Sequence, residues 1–289
     1  MAALLAVLSS ILWGSADFLG GLVTRRLPAL VVVAASQLVA LAVVVPIAVV
    51  VGGFDRPTGY VPWGVAAGLV GALALTSFYY ALSIGTMGIV SPLSATGIIV
   101  PVVVGLVVGE RPNLLEVLGI VAAGVGVVLA GGPDLRADAD GSSTRHGARP
   151  VIFALLAAAG FGFTLVALSY GGRIDPLMTV VAQRTASGLL IGVPVLVVLG
   201  RHVLKKSDAP MLATVGIGDV AANATYAWSA SFGLLTVTAV LGSLFPVATL
   251  LLARTFLHER LTRLQGIGVV VALVGVVLLG AGSVWTPGG

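Results

Sequence analysis

The chain has 289 residues, of which 58% are hydrophobic, 39 are glycine and only 9% are charged, with a net charge of +4 and no cysteine. A soluble domain is about 25% charged, so this composition cannot cover a water-soluble particle, and with a mean hydropathy of +1.13 it places the chain in a bilayer. It also excludes a disordered or collagen-like chain, a disulfide scaffold, a thiolate metal site and a cysteine nucleophile. The basic residues fall between apolar runs, where they act as topology signals and not as a nucleic-acid patch.

A hydrocarbon core about 30 Å thick takes about 20 apolar residues per helix. Runs of that kind are predicted at 2–23, 29–52, 61–84, 88–109, 114–131, 150–171, 176–199, 209–232, 236–257 and 263–283. The first lacks a basic leader and ends in Thr24-Arg25-Arg26 without a small-residue cleavage site, so it is read as a retained span. The stretch Gly132–Arg149 is rich in Gly, Ser and Asp and reads as a linker that splits the ten spans five and five. Small pairs such as Gly64 and Gly68, and the glycines of the fifth and tenth spans, predict close helix packing and a scaffolding role.

An internal repeat supports the division. An offset of 149 residues pairs Glu110-Arg111 with Glu259-Arg260, and Gly119, Gly126 and Gly131 with Gly268, Gly275 and Gly280. Pro28 and Pro176 match at an offset of 148. Five helices is an odd number, so the second half enters the membrane upside down relative to the first. The expected fold is therefore an all-α integral membrane protein of ten transmembrane helices in two inverted five-helix repeats, 1–131 and 150–289, joined by 132–149. Inverted repeats mark many secondary transporters, whose solute site lies near the midplane where the halves meet.

A charge at a helix centre costs about 2.5–3.5 kcal/mol on insertion scales, so an intramembrane charge must be paired, wet or functional. Asp17, Arg184 and Asp219 are such residues. In one reading Arg184 pairs with either Asp as a buried structural contact. In the other, one Asp is desolvated and exchanges a proton or a cationic solute while Arg184 steadies a carboxylate or the solute's acid group. Asp219, Asn223 and Tyr226 recur at i, i+4 and i+7 on one face of the eighth span, and Thr76, Tyr80 and Ser83 share a face of the third, with Tyr79 adjacent. Interhelical hydrogen bonding is the alternative to solute binding for these groups. Trp13, Tyr79, Tyr80, Tyr226 and Trp228 are candidates for an aromatic wall, and Gln37 and Gln183 are weaker site candidates. Pro92 and Pro101 in the fourth span and Pro246 in the ninth remove backbone donors and are candidate gate hinges or static kinks. The two Glu-Arg pairs lie at membrane borders and read as helix-end anchors.

The opening helix Leu12-Trp13-Gly14-Ser15-Ala16-Asp17-Phe18, the stretch Ser243-Leu244-Phe245-Pro246-Val247-Ala248-Thr249, and in each half a Glu-Arg followed by a glycine-punctuated last helix resemble the EamA type of the drug/metabolite transporter superfamily over essentially the whole chain. Gln265 and Gly268 complete the family's usual spacing in the second half; the first half departs from it with Glu116. The resemblance implies a carrier for small metabolites, often an exporter, in the cell membrane, working by alternating access through a cavity lined by helices 1, 3, 4, 6, 8 and 9. By analogy with smaller relatives that keep a carboxylate in their first helix, Asp17 gains weight as a proton-coupling group beside Asp219.

The functional expectation is a secondary transporter exporting amino-acid-like or amphiphilic metabolites, with proton exchange through Asp17 or Asp219. An uncoupled facilitator and a cationic drug efflux pump are the alternatives. The partners are a small solute, the lipid bilayer and protons; no nucleic acid, metal or cofactor is called for, and a monomer suffices. Gly216-Ile217-Gly218-Asp219 matches a motif of intramembrane aspartyl proteases, with Asp17 as a conceivable second carboxylate, but the Tyr-Asp and Pro-Ala-Leu elements that accompany it are out of place. The histidines, His146, His202 and His258, sit in or beside loops and suggest no catalytic triad or zinc site. Eleven Lys and Arg residues follow odd-numbered spans and three follow even-numbered ones, which puts both termini outside by charge; the resemblance puts both inside.

Overall fold

The computed structural model describes residues 1–85, 87–130, 149–200, 204–257 and 263–284. Among these every regular element is helical: α1 (Ala2–Val23), α2 (Ala29–Val50), α3 (Val61–Ile84), α4 (Met87–Ala95), α5 (Ile99–Val107), α6 (Leu114–Ala130), α7 (Arg149–Gly172), α8 (Pro176–Ser187), α9 (Ala209–Ala230), α10 (Leu235–Gly242), α11 (Phe245–Leu257) and α12 (Arg263–Val284). In lipid the backbone must satisfy its own hydrogen bonds, which a helix does within one segment. The linker residues 132–148, all three histidines, Glu259-Arg260 and the side chains of Pro92 and Gln265 lie outside the described residues.

Among the described residues six helical segments are long and apolar enough to cross a membrane: Ala2–Val23, Ala29–Val50, Thr58–Ile84, Arg149–Gly172, Pro176–Leu199 and Leu235–Phe256. Shorter apolar helices cover Leu93–Val107, Leu114–Leu129 and Gly266–Leu279. Large apolar side chains such as Leu4, Val50, Val107, Val197 and Val277 are exposed on the outer faces, as lipid contact requires.

Several element ends follow from named residues. Asp175 caps α8: its carboxylate accepts from the amide of Met178 at 2.9 Å, and Pro176 occupies the first helical position. At α6 the Asn113 side chain accepts from the Glu116 amide at 3.0 Å while the Glu116 carboxylate accepts from the Asn113 amide at 2.7 Å. This is a capping box, and it gives Glu116 a reason to replace the glutamine usual at that place. A 3-10 turn, Thr96–Ile98, interrupts the α4–α5 rod between Pro92 and Pro101. The α10–α11 rod breaks at Ser243-Leu244, just before Pro246. Beyond α8 the rod continues as π-type turns, Gly188–Gly192 and Leu196–Gly200, around the single α turn Val193–Val195 with Pro194.

The most extensive helix pairs are α6 with α12, α3 with α7, and α1 with α9. Small residues bring their backbones together. A Cβ on Gly64 would lie 2.5 Å from the Ala182 Cβ, and one on Gly275 would lie 2.5 Å from the Ala123 backbone nitrogen. The polar residues of α1, α2, α8 and α9 converge inside this packing.

Candidate functional site

Arg184 is the hub. It is 3% exposed, and its Nη1 donates to Gln37 Oε1 at 2.6 Å and to Asp219 Oδ2 at 2.8 Å. Ser187, one turn along α8, donates to the same Gln37 oxygen at 2.8 Å. Asn223 donates to Asp219 Oδ1 at 2.9 Å and to the Asp219 carbonyl at 2.7 Å, and its own oxygen accepts from Gln183 at 3.0 Å. Four helices, α2, α8 and α9 directly and α1 alongside, thus meet at one polar seam. Burying two opposite charges costs several kcal/mol per ion and is offset only when geometry and extra hydrogen bonds are good; the amides of Gln37 and Asn223 supply those bonds.

The network is incomplete on its own. A guanidinium has five N–H donors, and Arg184 Nε and Nη2 are buried without an acceptor among the described residues, as is Gln183 Oε1 without a donor. An unpaired buried polar group costs about 1–3 kcal/mol, so this edge of Arg184 calls for an acceptor from water or from a bound molecule. Asp17 is also buried, and among the described residues its carboxylate forms no hydrogen bond or ion pair. Arg184 therefore engages Asp219 and not Asp17.

Both groups line one cavity of about 70 Å³, together with Trp13, Gln37, Gly68, Gly71, Leu75, Phe161, Thr164, Ser187, Asn223, Ser243 and Phe245. That volume has room for about five waters, so a metabolite requires the surrounding helices to move apart. The wall draws on α1, α2, α3, α7, α8, α9 and the α10–α11 break. The second and seventh predicted spans thus contribute, and no described residue of the fourth does.

The aromatic candidates separate. Trp13 lines the cavity. Tyr226 stands behind it, fully buried, with ring centroids 5.5 Å apart, its hydroxyl 3.1 Å from Ser169 Oγ and 3.3 Å from the Leu165 carbonyl. Tyr79 is buried beside Phe78 and fills the space that a Cβ on Gly20 would need. Trp228 is exposed and away from the cavity. Tyr80 joins Thr76, Ser77, Ser83 and Phe153 in a second, open recess of about 650 Å³ under the α1–α2 turn with Arg25 and Arg26. Sequence reasoning passed over Ser187, Thr164, Phe161 and Phe245; Gln183, Arg184 and Ser187 on one face of a helix was the signal for the first.

The two ends of the cavity differ. The recess lies at the start of α7, and α7 runs 24 residues, about 36 Å at 1.5 Å per residue, to an end that is tied shut. There Trp63 stacks on Tyr170 at 4.8 Å, Arg173 sits 5.8 Å over the Tyr170 ring, and Arg56 binds Asp175 at 2.8 Å. On the cavity wall Phe161 and Phe245 meet each other and the buried Phe78 edge to face, at 5.6–6.4 Å.

Residues 1–132 and 148–281 each match the family model described as EamA-like transporter family. The chain belongs to the EamA-like transporter family. It is accordingly a multi-pass membrane protein of a transporter family, with a small-molecule solute and membrane lipid as its surroundings. A solved structure described as "Crystal structure of protein" aligns with a TM-score of 0.74 at 19% identity over 99% of each chain, a likeness of fold. A search of curated proteins finds no match.

Proposed function

We propose that this EamA-like transporter is a ten-span carrier of two inverted repeats, 1–131 and 150–289 joined by 132–149, which exports a small zwitterionic, amino-acid-like metabolite by alternating access, coupled to protons. Reciprocal contacts support the repeat. Gly126 abuts Ala272 while Gly275 abuts Ala123, and an offset of 149 relates each member of one pair to the other. Gly14 packs on Phe245 to Thr249 and Gly162 on Gly97 to Val100, the same relation at an offset of 148 to 149. A two-fold axis produces such exchanged pairs. At 22 residues, α9 is long enough to span in spite of Asp219.

The observation that carries the solute class is a pair of groups on one cavity that have no partner among the described residues, the outer edge of Arg184 and the carboxylate of Asp17. A guanidinium edge suits a carboxylate in bidentate fashion, Asp17 suits an ammonium, and Trp13, Phe161 and Phe245 offer an apolar surface. Asp219, held by Arg184 and Asn223, is the structural carboxylate; Asp17 is the one that exchanges a proton. This division also argues against aspartyl proteolysis, which needs two carboxylates sharing one proton, and the chain is read as no enzyme. A cationic drug is the second reading, favoured by Asp17 lying on the same wall as Trp13.

The test is counterflow in proteoliposomes with labelled amino acids and lipophilic cations while internal pH is followed, for wild type and Asp17→Asn. Amino-acid exchange with proton movement that Asp17→Asn abolishes supports the reading. Exchange with a flat internal pH makes the protein a facilitator, and exchange of cations alone moves the solute class to the second reading.

A further inference from the structure

Glu110 follows the end of α5, yet its carboxylate serves another helix. Its Oε1 accepts from the amide of Leu235 at 2.6 Å, and its Oε2 accepts from the amide and the hydroxyl of Thr236, both at 2.9 Å. Leu235 and Thr236 are the first residues of α10, whose own cap position is Leu234, a side chain with nothing to offer an orphan amide. Arg173, at the end of α7, adds a 3.5 Å ion pair. The first turn of α10 is thus capped from 125 residues away in the chain.

Local sequence builds this reach. The Glu110 amide donates to the Gly105 carbonyl and the Gly109 amide to the Leu106 carbonyl, the paired bonds of a Schellman ending. That ending needs a left-handed residue, and Gly109 has φ +95°. The chain therefore doubles back and lays Glu110 over the end of α5. Gly105 leaves the room: a Cβ there would lie 2.5 Å from Glu110 Oε2 and 2.6 Å from Thr236 Cγ2.

We infer that Glu110 is a latch, a positioning residue that ties α5 to α10 while this end of the cavity is shut. The inference rests on the alternating-access reading proposed above. Arg173 and Glu110 stand at the end of α7, whereas the recess, with Phe153, lies at its start. In this structure the Glu110 latch is made and the recess is open. A carboxylate that exchanges these backbone donors for water gives the α5–α10 contact a made and a released arrangement, and alternating access needs two such arrangements.

The chain has no cysteine, so single reporters can be read without background. Ser83→Cys reports the recess end and Thr238→Cys, one turn into α10 and 1% exposed, reports the latched end. Each is labelled with a hydrophilic maleimide in nanodiscs, without solute, so the outcome stands apart from any transport result. Glu110→Gln should raise labelling at Thr238→Cys by about tenfold, the shift that losing one charge-assisted hydrogen bond permits, and lower labelling at Ser83→Cys. Glu110→Asp should fall between. Gly105→Ala keeps the carboxylate but takes its room, and it should reproduce Glu110→Gln, which covers a Glu110→Gln chain that does not fold. Labelling unchanged in both Glu110→Gln and Gly105→Ala, or raised at both reporters together, overturns the latch.

Discussion

Arg184 binds Asp219 at 2.8 Å across 35 residues of chain, and in doing so it leaves Asp17, on the wall of the same cavity, without a partner among the described residues. One carboxylate is thereby fixed and the other free, although both are aspartates buried in apolar helices. Their substitutions should differ accordingly.

Asp219→Ala strands a buried guanidinium and removes an acceptor from Asn223. Removing one partner of a buried ion pair costs about 3–5 kcal/mol, so the thermal midpoint in detergent should drop clearly. Asp17→Asn breaks no bond among the described residues and should leave the midpoint within the change typical of a neutral site, about 0.5 kcal/mol. Equal losses in the two variants would contradict the division of roles.

The glycines of the α6–α12 pair allow a prediction with its own control. A Cβ at Gly126 would lie 2.3 Å from the Ala272 nitrogen, and one at Gly275 would lie 2.5 Å from that of Ala123. Backbone cannot yield as a flexible side chain does, so Gly126→Ala and Gly275→Ala should each force the helices apart and cost about 1–3 kcal/mol. Gly124, on the same helix, has nothing within 4 Å; Gly124→Ala should be neutral or slightly stabilising, since Ala is the better helix former. Chemical or thermal unfolding in one detergent decides it, and equal effects at 124 and 126 would remove the packing account.

Charge made part of the site legible in the sequence. Asp17, Arg184 and Asp219 stand out because an ionised group in an apolar run carries a cost that needs an explanation, and Asn223 follows from its place one turn beyond Asp219. Gln37 and Ser187 stand out less, because amides and hydroxyls are common glue between membrane helices; only the structure shows Gln37 accepting from both Arg184 and Ser187. Periodicity put Thr76, Tyr80 and Ser83 on one face, but it does not say what that face meets, and it meets the recess and not the cavity. The helix interruptions divide in the same way. The breaks at Thr96–Ile98 and Ser243-Leu244 lie beside prolines visible in the sequence, whereas the two π-type turns after Ser187, Gly188–Gly192 and Leu196–Gly200, hold no proline and flank only Pro194.

The separation of the aromatic residues predicts which of them matter for solute. Tyr80→Phe and Trp228→Phe, at the recess and on the outer face, should leave counterflow of the transported solute at the wild-type level. Trp13→Ala removes a ring from the cavity wall and should raise the half-saturating solute concentration. Tyr226→Phe keeps the ring against Trp13 but loses the contacts of its hydroxyl with Ser169 and Leu165. Its cost should be about 1 kcal/mol in stability, with a smaller change in solute affinity than Trp13→Ala. Counterflow rates across solute concentrations, with unfolding midpoints for the same four proteins, test this order. A Tyr80→Phe or Trp228→Phe effect on affinity as large as that of Trp13→Ala would move the solute site away from the Arg184 cavity.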